Sequence, residues 1–167
     1  MAQHDFTIVQ PQGTHLAQLN VGKARGAYDE AVMQGFTSMI DTVNGIAKAS
    51  PGFVWMLEGD AGVGAMDIQT TADPLFLVNL SVWEDASSLE NFVWNGLHER
   101  MYQQKAKWFE AMSEAHFVMW FVPEGHQPTP QEALGRLDQY RAQGNSDAAF
   151  GWDALPHVQQ WQNKRCG

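Results

Sequence analysis

Residues 75–109, LFLVNLSVWEDASSLENFVWNGLHERMYQQKAKWF, run from an alternating segment through a turn into a helical one. In an extended chain successive side chains point to opposite sides. Asn79, Ser81 and Trp83 therefore share one face, while Phe76, Val78, Leu80 and Val82 share the other. A strand with one apolar face and one mixed polar and aromatic face lies between a core and something that is not core: a ligand, a partner or water. Asp85 or Ser87 can cap the helix that follows, with Leu89, Phe92 and Val93 facing inward. Asn95-Gly96 interrupts it, and the spacing predicts a second helical segment over 97–113 carrying His98, Met101, Trp108, Phe109 and Met112.

Working outward, LAQLNVG at 16–22 alternates and predicts a first strand. From 29 to 49 the apolar residues Val32, Phe36, Met39, Ile40, Val43, Ile46 and Ala47 recur at helical spacing. Ser50-Pro51-Gly52 ends that helix, and FVWMLEG at 53–59 predicts the second strand. AMDIQT at 65–70 suggests a short additional strand. AHFVMWFVP at 115–123 is the last strand, and Thr129-Pro130 opens a final helix to Gln143, with threonine at the cap and proline at the first helical position. The order β-α-β-β-α-β defines an α+β, ferredoxin-like antiparallel sheet with helices on one face and an extra C-terminal helix. The expected organisation is an N-terminal arm (1–15), the ferredoxin-like domain with its C-terminal helix (16–143) and an irregular tail (144–167) whose Phe150, Trp152 and Trp161 pack on the body or on another subunit. The sheet face that the helices leave bare calls for a second copy of the chain or a ligand.

The composition narrows the partners. The chain has 167 residues, enough for one core without disulfides. Its formal charge of −9, with the ten Lys and Arg scattered, argues against nucleic acid and anionic membranes. Residues 1–20 contain neither the basic start nor the apolar run of a signal peptide, and no stretch is long and apolar enough to span a bilayer, so a cytoplasmic protein is expected. The one cysteine, Cys166, excludes an internal disulfide and a cysteine-built zinc site. His98-Glu99 lacks an HExxH partner, and GDAGVG lacks both the P-loop lysine and the dinucleotide fingerprint. No GxSxG elbow is present.

The blocks LAQLNVG, SPGFVW, LVNLSVWED, NFVW…HERM…KWFEAM and FVPEGHQPT, in that order, resemble the family catalogued as domain of unknown function 3291 over residues 16–143. That resemblance implies the dimeric α+β barrel superfamily, which includes the antibiotic-biosynthesis monooxygenases. There two ferredoxin-like subunits pack their sheets together, and each holds a pocket between sheet and helices. Heme-degrading relatives place an asparagine on the first strand and a tryptophan and histidine in the pocket. Asn20, Trp83 or Trp94, and His98 are the counterparts by order.

Each candidate has a structural reading beside the functional one. His98 is either a hydrogen-bonded structural residue or a base, a substrate contact or an axial heme ligand. Asn79 and Ser81 share a face with Trp83, as Asn20 does with Gln18; the amides either converge on a ligand or pair across a dimer interface. Trp55, Trp94, Trp108 and Trp120 either line a ligand or fill the core. Arg100 either recognises a carboxylate or stays solvated. His126 suits a turn beside the last helix. The leading expectation is a small-molecule pocket protein that resembles antibiotic-biosynthesis monooxygenases. It would work on an aromatic or polyketide-like substrate with no cofactor, using His98 and Asn79 as catalytic groups and Asn20, Ser81, Trp83, Trp94, Arg100, Trp108 and Trp120 as substrate contacts. The alternatives are a heme-binding protein with His98 as axial ligand and a non-catalytic dimeric binding protein; a homodimer is expected in each case.

Overall fold

The computed structural model describes residues 6–59, 65, 68–94 and 96–157, with Leu97 and His98 described by their backbone only. Strand β1 (Thr14–Lys23) leads through a 3-10 turn at Ala31–Met33 into α1 (Gln34–Ala49). Then come β2 (Phe53–Met56), β3 (Phe76–Trp83), α2 (Ala86–Val93), α3 (Gly96–Gln104), β4 (Phe117–Pro123) and α4 (Pro130–Gln143). The sheet order is β2-β3-β1-β4 and every pairing is antiparallel, so the split βαβ repeat is realised.

The caps follow the sequence chemistry. Asp85 Oδ1 accepts the amide of Ser88 at 2.8 Å, and Thr129 Oγ1 accepts that of Glu132 at 3.1 Å with Pro130 in the first turn. The helix expected over 97–113 is shorter. It ends at Gln104, turns through a 3-10 segment at Lys105–Lys107, and Phe109 then bridges Ala24 while Glu110 N donates to Lys23 O. Pairing with the end of β1 satisfies these backbone groups outside a helix. The described part of 65–70 carries no strand, with Met66 and Asp67 outside the described residues.

Register fixes the two faces. Ala17, Leu19 and Val21 stand beside Val78, Leu80 and Val82 and beside Val118, Trp120 and Val122 on the rear face. All nine are buried, and Ala133 and Leu137 of α4 join their cluster. The face expected to await a second subunit is therefore covered by α4, which crosses β4, β1 and β3. The front face carries the three helices of the core fold. Ala47 of α1 and Leu89 of α2 pack with Leu16, Trp83 and Met119, and Ile40 and Val43 of α1 pack with Leu77, Met101 and Trp108.

The segment after α4 straps the outer edge of β4. Phe150 and Met119 exchange backbone hydrogen bonds of 2.9 and 2.8 Å. Ala154 and Leu155 then join the front core, where Ala154 O accepts from Ile8 N at 3.0 Å. Phe150 and Trp152 thus pack on the body as expected; Trp161 and Cys166 lie outside the described residues.

Candidate functional site

The two apolar clusters of the front face do not meet on β1 and β3. Between Leu16 and Trp83 at one end and Leu77 at the other, the side chains are Gln18, Asn20, Asn79 and Ser81. Gln18 pairs with Ser81 and Asn20 with Asn79 across the two central strands. Directly opposed residues bring their Cβ atoms to about 5 Å, so the four make one continuous polar strip. Asn44 belongs to the buried stripe of α1 with Ile40, Val43 and Ala47, adding a fourth carboxamide from the sheet-facing side of that helix.

Burial divides the strip. Gln18 and Ser81 are each 4% exposed, whereas Asn20 and Asn79 are open to solvent. Exposure at the centre of a sheet that helices cover means the cover is incomplete there. The buried pair is hydrogen-bonded. Gln18 Nε2 donates to Asn79 Oδ1 at 2.8 Å and to Ser81 Oγ at 2.7 Å, with the Asn79 backbone carbonyl at 3.4 Å. Trp83 Nε1 donates to the same Ser81 Oγ at 2.9 Å. Trp83 is further fixed by Phe92, stacked at 5.2 Å, and by Phe53, edge-on at 5.4 Å. The result is a rigid wall whose open rim is two neighbouring carboxamides. Neutral groups of this kind orient a ligand and stabilise negative charge on its oxygen, and none of them changes charge near neutrality.

Of the residues singled out in the sequence, the structure brings together Asn20, Asn79, Ser81 and Trp83. Trp108 lies at one end, buried against Phe36 at 5.5 Å within the cluster that holds Leu77. Trp94 is half-buried at the C-terminal cap of α2, and Arg100 is exposed on α3. Trp120 is a correction: it points to the rear face, fully buried among the residues that α4 covers, and cannot line this strip. The His98 side chain lies outside the described residues; its backbone is in α3. His126 does structure a turn, its Nε2 donating to Glu132 Oε1 at 2.9 Å beside the start of α4. Gln18 is the residue the sequence reading left out of the site, although its place two residues before Asn20 puts it on the same face.

Two open depressions lie elsewhere. One, of about 420 Å³, is bordered by Tyr140, Arg141, Asn145 and Asp153 at the end of α4. The other, of about 340 Å³, is bordered by Tyr28, Glu30 and Thr37. Among the described residues no three His, Cys, Asp or Glu side chains are grouped to hold a metal ion. Heme needs an axial imidazole, thiolate, thioether or phenolate. The strip offers amide, hydroxyl and indole groups instead, so its described residues supply no axial ligand, and the His98 side chain lies outside them.

Residues 15–166 match the family described as domain of unknown function DUF3291, and the chain belongs to that family. No curated protein matches the sequence. Among solved structures, a protein from Shewanella oneidensis is similar at a TM-score of 0.50 and 6% identity, covering 66% of this chain and 93% of its own. A protein from Pseudomonas aeruginosa is similar at 0.46 and 12%, covering 70% of this chain and 100% of its own. A candidate antibiotic biosynthesis monooxygenase from Nitrosomonas europaea is similar at 0.45 and 8%, covering 73% and 100%. At 6% identity the first of these likenesses speaks to the fold alone. No helix among the described residues is long and apolar enough to cross a membrane.

Proposed function

We propose that this member of the DUF3291 family binds a planar, oxygen-bearing small molecule on the carboxamide strip of its front face. The reading is carried by one observation: Asn20 and Asn79 stand exposed, side by side, on the two central strands of a helix-covered sheet. An exposed amide pair backed by a buried, hydrogen-bonded Gln18–Ser81–Trp83 wall is a preorganised surface for a ligand oxygen. Half-buried Phe92, held by its stack on the buried Trp83, supplies an apolar flank.

The chemistry assigned to this site is oxygenation or rearrangement of an electron-rich aromatic or polyketide-like molecule. Once such a ligand is deprotonated its own electrons can reduce oxygen, and amide donors steady the charge on its oxygen. We assign His98 as the base, since the strip itself holds no group that takes up a proton near neutrality. That same neutrality favours a second reading, in which the strip binds without turnover.

Side-chain and backbone amide shifts on titration with 1-indanone test the location. Shifts gathered at Asn20, Asn79 and the Trp83 indole support the site; shifts gathered at Tyr140 and Asp153 instead would overturn it. Oxygen uptake with an electron-rich hydroxynaphthalene then separates the two readings. Uptake lost in His98→Ala with binding retained supports catalysis; binding without uptake in the wild type supports the second reading.

A further inference from the structure

Asn79 meets its ligand with whichever end of the amide its surroundings leave free, and Gln18 decides which end that is. The Gln18 nitrogen lies 2.8 Å from Asn79 Oδ1 and 3.4 Å from the Asn79 backbone oxygen. A carbonyl oxygen accepts only, so the atom facing it must carry hydrogen; with Gln18 turned round, two oxygens would face each other with no proton between them. The backbone of β3 therefore orients Gln18, and Gln18 in turn orients Asn79. With Oδ1 turned toward Gln18, the amide of exposed Asn79 turns its Nδ2 away from that contact, a group with two donors and no acceptor. Ser81 adds to this polarity. Its Oγ accepts from both Gln18 and Trp83, which leaves its own proton to donate.

From this chain of bonds we infer that Gln18 is the specificity-determining residue of the strip: it sets the strip as a donor surface, which selects ligands carrying a carbonyl or enolate oxygen over ligands that offer N–H or O–H. Gln18 is 4% exposed and acts through Asn79, so it is a positioning residue. The inference rests on the binding reading given above and names the ligand class that reading left open. Asn20 has no such lock among the described residues and can turn either end outward. The contrast is therefore read on an Asn20→Val background, where Asn79 is the amide under test.

The probes are two bicycles of the same shape, 1-indanone with an acceptor and no donor, and indole with a donor and no carbonyl. On that background 1-indanone is expected to bind about tenfold more tightly than indole, the factor of one hydrogen bond made against one left unmade. Gln18→Met removes the lock at similar volume, and the ratio is expected to fall toward one while 1-indanone binding changes about threefold at most. Gln18→Glu, measured where the carboxylate is ionised, presents only acceptors to Asn79; the amide turns, shows Oδ1, and the preference reverses. A ratio unchanged in Gln18→Met would overturn the inference, because a merely structural glutamine leaves selectivity alone.

A readout without ligand separates this inference from the binding reading. In the wild type the Asn79 Nδ2 protons should exchange with water at the rate of an unbonded side-chain amide. In Gln18→Glu they should be slowed and should follow the titration of Glu at that position. If neither probe binds but this exchange pattern is found, the lock stands and the binding reading falls. Slowed Nδ2 protons in the wild type would overturn the lock itself.

Discussion

Asn20 on β1 stands directly opposite Asn79 on β3, and both are open to solvent although their strands are the two central ones of the sheet. Stability and binding should therefore separate along the strip. Asn20→Val is expected to change the unfolding free energy by less than about 0.5 kcal/mol, because it removes no buried partner and suits a strand. Ser81→Ala strips Trp83 Nε1 and one proton of Gln18 Nε2 of their acceptor in a buried place, at a cost of about 1–3 kcal/mol. Urea unfolding of the two variants checks the contrast; equal losses would mean that Asn20 is a structural residue and the strip merely a seam.

Much of this was legible beforehand, and the reasons for the rest are specific. The alternation in LFLVNLSVW fixed which side chains of β3 travel together, and Thr129-Pro130 fixed the start of α4 to the residue. In FVMWFVP both faces are apolar, so alternation could pair Trp120 with Val118 but could not say that this side is the rear. Amphipathicity shows that α4 buries Ala133 and Leu137, not which face receives them. The end of α3 was hidden for a different reason: helical spacing persists through Trp108, and what stops the helix is a bridge to Ala24, far away in sequence. Gln18 was passed over because its importance lies in its partners, Asn79 and Ser81, which only register reveals.

Gly52 is bound to one conformation. Its φ is +82°, and a Cβ there would collide with the Ser88 hydroxyl at the start of α2. Its carbonyl also accepts from Glu84 N at 2.7 Å, tying the β2 entry to the end of β3. Gly52→Ala should cost about 1–3 kcal/mol from the left-handed backbone, with the collision in addition. Ser88→Gly removes the collision along with its own hydroxyl bond to Asp85 Oδ1, so, measured against Ser88→Gly, Gly52→Ala should cost less than it does in the wild type but still cost something. No cost on that background would show that the backbone conformation is free to change.

The cover on the rear face predicts a stability and excludes one dimer interface. Leu137 is 1% exposed among Leu19, Leu80 and Val118. Leu137→Ala should lower stability by about 2–5 kcal/mol, the range for a large core side chain cut to alanine. With α4 docked, two copies cannot pack their sheets through this face, so any dimer that light scattering of the intact chain finds is expected to survive Leu137→Ala. A dimer that dissociates in Leu137→Ala would place the interface on the α4 side and contradict this; a dimer indifferent to that change would have to be built elsewhere.

His116 supplies the pH dependence. Burial is the main force holding its imidazole below the ordinary histidine range; the positive charges of Lys105 and Arg141 push the same way, and a hydrogen bond with the Glu114 backbone works against them. The folded chain therefore binds this proton less readily than the unfolded one. Above about pH 6.5 both forms are neutral and nothing is lost; as pH falls through that value the unfolded state takes up the proton first and stability declines. Asp73 behaves differently: its bond with Lys23 lowers its pKa, so its share is lost only further down, in the carboxylate range. Urea midpoints measured from about pH 8 to about pH 5 should fall in the wild type and fall less in His116→Asn. Equal slopes in the two proteins would show that the imidazole stays solvated and that the charges of Lys105 and Arg141 exert no force on it.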